Sequence, residues 1–260
     1  MLEAEAAIRL SVFLAVLLLL LLLERRIPWA VPRPLGARRW PHHLGLVAAG
    51  TLLVRWLLPA SVVGAALWAE AEGIGLLRWL GLPLWLSLPL SVVLLDFLIY
   101  LQHRIFHAVP LLWRLHRVHH ADPELDATTG VRFHPLEILL SALFKMAAAI
   151  LLGLPPEAVL VFEVLLNASS LFEHAAISLP PRLDAALRLL IVTPSLHRIH
   201  HSERREETDS NFGFCLSLWD RWLGTLREEP QGELKLGVGA FASAEDQRLD
   251  RLLWQPLRRG

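Results

Sequence analysis

Long apolar runs separated by short polar connections set out the whole chain. Residues 6–23 form the first run, closed by eight consecutive Val and Leu residues after Ala15. As a helix rising about 1.5 Å per residue, it nearly spans a hydrocarbon layer of roughly 30 Å. Its positive charge follows the run, Glu3 and Glu5 precede it, and no A-x-A site closes it, so it reads as a retained anchor and not a cleaved signal peptide. A Pro- and Arg-rich connection, residues 24–43, carries Arg25, Arg26, Arg33, Arg38 and Arg39 and is expected on the cytoplasmic side. Residues 44–69 read as a second span, interrupted by Arg55, and residues 76–101 as a third, with Pro83 and Pro89 as kink points.

A helical hairpin follows. Residues 138–152 and 157–172 flank Gly153-Leu154-Pro155-Pro156, which has the residue types of a tight turn. Antiparallel helices put residues equally distant from the turn at equal depth. Lys145 and Glu163, nine residues either side of Leu154, are therefore expected to pair. By the same count His134 and His174, twenty residues either side, are expected to stand together at the open end. All-α architecture follows: an integral membrane bundle of about four transmembrane or re-entrant helices, carrying a cytoplasmic helical cap.

Composition agrees and removes some alternatives. The chain is 54% hydrophobic with a mean hydropathy of +0.46, too apolar for an ordinary soluble domain. Net charge is zero with no long basic tract, so nucleic acid is not an expected partner. The single Cys215 cannot form an internal disulfide, and ten tryptophans suit interfacial anchoring.

The chemistry lies in the histidines. Five of the twelve, His103, His107, His116, His119 and His120, fall in one stretch, and His197, His200 and His201 repeat its H-x-x-H-H spelling. Three- and four-residue spacings put side chains on one helix face, and imidazole is the commonest transition-metal ligand. Eight such residues, or nine with His174, are too many for one ion and enough for two. No H-E-x-x-H and no Glu-x-x-His occurs, so neither a zinc protease nor a carboxylate-rich di-iron bundle is supported. Imidazole alone leaves iron, copper, nickel and zinc open. Asp96, late in an apolar run, needs a partner, and orienting His103 is the role expected of it.

Four ordered segments then carry a resemblance. They are Asp96-x-x-x-Tyr100-x-x-His103-x-x-x-His107, Trp113-Arg114-x-His116-x-x-His119-His120, Arg132-x-His134-Pro135 and Thr193-Pro194-x-x-His197-Arg198-x-His200-His201. With Asn211-Phe212-Gly213 and Trp219-Asp220-Arg221-x-x-Gly224-Thr225 downstream, residues 85–226 resemble the fatty acid hydroxylase / sterol desaturase superfamily. The resemblance implies a catalytic domain over 85–226, behind membrane spans and the arginine loop (1–84) and ahead of a C-terminal tail (227–260). It implies two iron ions, replaceable by zinc, with O2 as co-substrate. The ligands carried over are His103, His107, His116, His119, His120, His197, His200 and His201, with His174 as the family's middle histidine. His134, Asp96, Tyr100, Asn167, Asn211 and Asp220 are expected around them, His134 also as an occasional ligand. His42 and His43 are read as interfacial or capping residues.

The implied reaction is hydroxylation or desaturation of a lipid taken from the bilayer: a fatty acyl chain, sterol or hopanoid, alkylglycerol or carotenoid. No cytochrome b5-like His-Pro-Gly-Gly is present, so a separate donor of cytochrome b5, ferredoxin or pterin type is expected. A membrane metal transporter and a catalytically inactive metal-bound relative are the alternative readings.

Overall fold

The computed structural model describes residues 2–259, in which helices are joined by turns and loops and the extended pairing consists of isolated bridges such as Pro28–Ile177. Helix α1 (Leu2–Arg26) leads through the arginine connection to α2 (Trp40–Leu57), α3 (Val62–Ala71), α4 (Leu76–Trp79), α5 (Leu84–Ala108) and α6 (Pro110–His120). The hairpin is α7 (Pro135–Leu152) and α8 (Pro156–His174), followed by short α9 (Pro181–Leu187) and α10 (Pro194–His200). Among the described residues, four stretches are long and apolar enough to cross a membrane: Ala4–Arg26, Gly36–Trp79, Leu84–Ala108 and Pro135–Leu152.

Two expected spans have different boundaries from those read off hydropathy. The second breaks into α2 and α3 because Pro59 holds Leu58 extended (ψ 130°) and Ser61 then caps α3, accepting from the Gly64 N–H at 3.1 Å. The third starts late, after Gly81 (φ 64°) and Pro83, and runs on through His103 and His107 until Pro110 begins α6. Pro89 lies within α5, only its second turn.

α3, α5, α7 and α8 close the main core around Val63, Leu95, Ile99, Ala149, Leu154 and Phe162. α1 packs through Leu20 on Leu171 and Ile177, while its Leu10, Leu14, Leu18 and Leu22 stay exposed, as lipid-facing positions should. Trp56, Trp79 and Trp85 are exposed near the hairpin-turn end of the bundle, where an aromatic belt belongs.

The hairpin forms as expected. Gly153 takes the left-handed conformation (φ 64°) that ends α7, and Leu154 is fully buried at the turn. Lys145 and Glu163 pair across it, and Arg9 of α1 reaches the second Glu163 oxygen at 2.8 Å. The turn rests on Gly75: a Cβ there would lie 2.1 Å from the Gly153 Cα. Gly75→Ala must therefore push the two backbones apart, at a φ of 116° that L-residues avoid. The expected loss is about 1–3 kcal/mol of stability, read as a lower unfolding midpoint in detergent. An unchanged midpoint would argue against this contact.

The C-terminal segment docks against the bundle. α11 (Arg205–Thr208) and α12 (Leu218–Trp222) precede α13 (Leu249–Trp254), whose buried Leu252 packs on Leu46 and Val118. Gln247 is buried between Arg132 and the Phe241 carbonyl. His43, read as an interfacial or capping residue, is instead fully buried, with Nδ1 2.9 Å from Thr128 Oγ1 and Nε2 3.2 Å from Arg132.

Candidate metal centre

Helical spacing decides which histidines meet. α5 supplies His103 and His107 four residues apart, α6 supplies His116, His119 and His120, and the end of α8 supplies His174. α10 supplies His197 and His200, with His201 as its last, capping residue. All nine are buried. They sort into two groups whose ligand atoms lie within 4.8 Å of one another: His103, His107, His116, His120 and His200, and His119, His174, His197 and His201.

Each H-x-x-H-H triplet is thereby split. Residues four apart turn only about 40° from each other on a helix, whereas the residue at the third step turns about 60° the other way. His116 and His120 enter the first group while His119 faces the second. His197 and His201 enter the second while His200 faces the first. The groups touch, with the His120 and His201 rings stacked at 4.4 Å.

The spacing fits ligands converging on a cation better than it fits hydrogen bonding. Nε2 of His174 is 3.0 Å from Nε2 of each of His119, His197 and His201. Nε2 of His103 is 3.0 Å from that of His116 and 3.1 Å from that of His200. An imidazole nitrogen holds one proton or one lone pair, so it cannot make three such bonds. Ligands about 2.0–2.1 Å from a tetrahedral ion lie about 3.3 Å apart, close to what is seen.

The outward-facing nitrogens hold the inner ones in place. Nδ1 of His103 donates to the Phe212 carbonyl (2.8 Å), that of His174 to the Ser170 carbonyl (2.6 Å) and that of His200 to the Ser210 carbonyl (2.7 Å). Carboxylates take two more: Glu137 accepts from His116 at 2.6 Å and Asp209 from His107 at 3.1 Å. A proton kept on Nδ1 leaves the Nε2 lone pair pointing inward. Burial lowers the His116 pKa to about 3, and burial with neighbouring rings also lowers His119, His120, His197, His200 and His201. These rings are neutral at pH 7, the form that binds metal.

The residues expected around the histidines are placed differently. Asp96 touches no histidine; it accepts from the Cys215 and Leu216 N–H groups and from Trp219 Nε1 (2.7 Å), because a loop with free donors folds over it. Tyr100 bonds Thr225 Oγ1, and Asn167 donates back to the Glu163 carbonyl within its own helix. Asn211, at a φ of 50°, ties the Leu196 and Arg227 backbone together. Asp220 accepts from the Phe212 and Gly213 N–H groups, so it acts on His103 through the Phe212 peptide.

His134 is not brought to the cluster and does not stand beside His174, whose ring neighbours are His119, His197 and His201. Pro135 begins α7 directly after it, so Nδ1 turns back to cap the Leu136 N–H, and Nε2 meets the Leu253 carbonyl, both at 3.2 Å. Glu137 and Asp209 were not foreseen. Glu137 carried the same signal as Asp96, a carboxylate in an apolar helix. The three carbonyls leave none.

Comparison with known proteins bears on the same segment. The sequence model described as fatty acid hydroxylase matches residues 88–225. The chain is 31% identical to the ornithine lipid hydroxylase OlsE of Rhizobium tropici over 141 residues, 54% of this chain and 42% of that one. It is 32% identical to human alkylglycerol monooxygenase over 52% of this chain and 29% of the relative. It is 28% identical to human cholesterol 25-hydroxylase over 52% and 49%. In each case the match spans less than half of the relative's length. No solved structure matches the chain significantly.

Proposed function

Since the chain belongs to the fatty acid hydroxylase family, we propose that it is an integral-membrane, O2-dependent oxygenase that hydroxylates a membrane lipid. The observation that carries this reading is the sorting of nine buried histidines into a five-member and a four-member group in contact. Relatives named as lipid hydroxylases or monooxygenases favour insertion of oxygen over desaturation. The overall reaction is R–H + O2 + two electrons + two protons giving R–OH + H2O. The electrons come from a separate donor of cytochrome b5, ferredoxin or pterin type.

His103, His107, His116, His120 and His200 would hold one iron, and His119, His174, His197 and His201 the other. Iron so bound supplies the capacity to reduce O2 and oxidise an unactivated C–H bond, which zinc, also accepted by imidazoles, lacks. The remaining work belongs to the chain. Glu137, Asp209 and the Phe212, Ser170 and Ser210 carbonyls keep five rings aimed, and burial keeps water from the cluster. Asp96 and Asp220 pin the 211–225 loop that carries the Phe212 carbonyl.

Lipid mass spectrometry on cells with and without the protein, grown under isotopically labelled dioxygen, tests the reaction. A lipid one labelled oxygen heavier is expected only when the protein is present. Oxygen consumption without a labelled lipid would sink the hydroxylase reading.

The metal centre is assigned to the cytoplasmic face. Arg39, in the arginine connection, meets Asp122 two residues after His120, so connection and histidines share one end of the bundle. A cysteine at exposed Glu228 is expected to resist a membrane-impermeant thiol reagent in intact cells, while one at exposed Glu72 reacts. The opposite labelling pattern would invert the topology.

A further inference from the structure

Glu173 takes no part in the hydrogen bonds that aim the histidine rings. It is fully buried on α8 beside His174, and neither carboxylate oxygen has a hydrogen-bond partner. A carboxyl buried without a partner either holds a proton or faces a cation, and a bound metal ion would supply the cation here. Among the described residues no Lys or Arg pairs with it; two imidazoles, those of His174 and His197, each have a nitrogen 3.7 Å from its Oε1. Its Oε1 lies 3.7 Å from Nε2 of His197, the atom that His197 turns toward His174 and His201. Two atoms bound to one ion at about 2.0–2.2 Å are about 3 to 3.7 Å apart. Glu173 is outside the mutually close set of four nitrogens, so it approaches that group from one side, next to His197.

The two groups also differ in how their charge is met. The five-histidine group has carboxylates behind two of its rings, Glu137 on His116 and Asp209 on His107. In the four-histidine group, His174 donates to a carbonyl, and the Nδ1 atoms of His119, His197 and His201 have no partner. A dication held there by four neutral imidazoles would have Glu173 as its adjacent anion. We propose that Glu173 is a ligand of the metal ion in the four-histidine group. Each group then offers five protein ligands, and an anionic oxygen joins the half of the centre that lacks carboxylate support. This inference rests on the metal-centre reading above.

Cobalt(II) titration of the purified full-length protein in detergent tests it without any turnover. Wild type is expected to keep two equivalents through dialysis against a chelator. Glu173→Gln should bind the second equivalent about 10- to 100-fold more weakly and show a changed visible absorption for that ion. Glu173→Asp, which keeps the carboxylate, should retain more metal than Glu173→Gln. Should Glu173→Gln not fold, an infrared difference spectrum of wild type with and without cobalt serves instead, and no carboxyl change on binding would overturn the assignment. Two tightly held equivalents with an unaltered spectrum in Glu173→Gln would overturn it and leave the binuclear reading intact. Wild type that holds no metal would overturn both.

Discussion

Purified protein is expected to carry two metal ions per chain, and His119→Ala to keep about one and to turn over no lipid. His119 is the sole member of its triplet in the four-histidine group, where its Nε2 meets Nε2 of His174 at 3.0 Å. Removing it leaves three imidazoles around that ion and a void in a fully buried site. Loss of a residue that merely orients a ligand commonly costs 10- to 100-fold in metal affinity or activity. Loss of the ligand itself should cost at least about 100-fold in turnover. Metal analysis of the intact protein gives the stoichiometry; one equivalent or none in wild type would end the binuclear reading. Unchanged turnover in His119→Ala would remove that residue from the ligands.

Arg39→Met is expected to be among the most destabilising single changes in the chain, by about 3–5 kcal/mol. Arg39 is 1% exposed and pairs with Asp122, Glu124 and Asp126, which are themselves buried. Burial alone would push the Asp122 pKa up, but Arg39 and Arg132 bring it down to about 2. Without Arg39, three carboxylates remain in the interior with too little positive charge, directly after His119 and His120. Thermal unfolding in detergent should show the loss, together with weaker metal retention. A variant as stable as wild type would mean that water reaches these acids.

Sequence periodicity revealed those parts of the molecule that depend on side-chain type at fixed spacing. The hairpin, its Lys145–Glu163 pair and the gathering of nine histidines all follow from helical repeat and turn chemistry. Symmetry about the turn failed for His134, because equal depth does not fix which way a ring faces, and Pro135 makes the residue before it a cap. Hydropathy merged α2 with α3, since Pro59 breaks a helix without making the run less apolar. Asp96 was correctly seen to need partners, yet those partners are backbone and indole N–H groups from residues 215–219. Carbonyls holding His103, His174 and His200 could not be seen, because every residue type presents the same peptide oxygen.

The splitting of the two triplets bears on how the protein is made. His103 and His200 share one group although they are 97 residues apart in the chain. The other group draws on His119 and His174 but also on His197 and His201. A nascent chain stopped anywhere before α10 therefore has neither set complete: one lacks its fifth imidazole and the other lacks two of four. Ribosomal synthesis must reach residue 200 before the first group is complete and residue 201 before the second is, with the earlier helices already inserted. If the two groups hold metal as proposed, loading is a late event in biogenesis, and truncated products should reach the membrane without a complete centre.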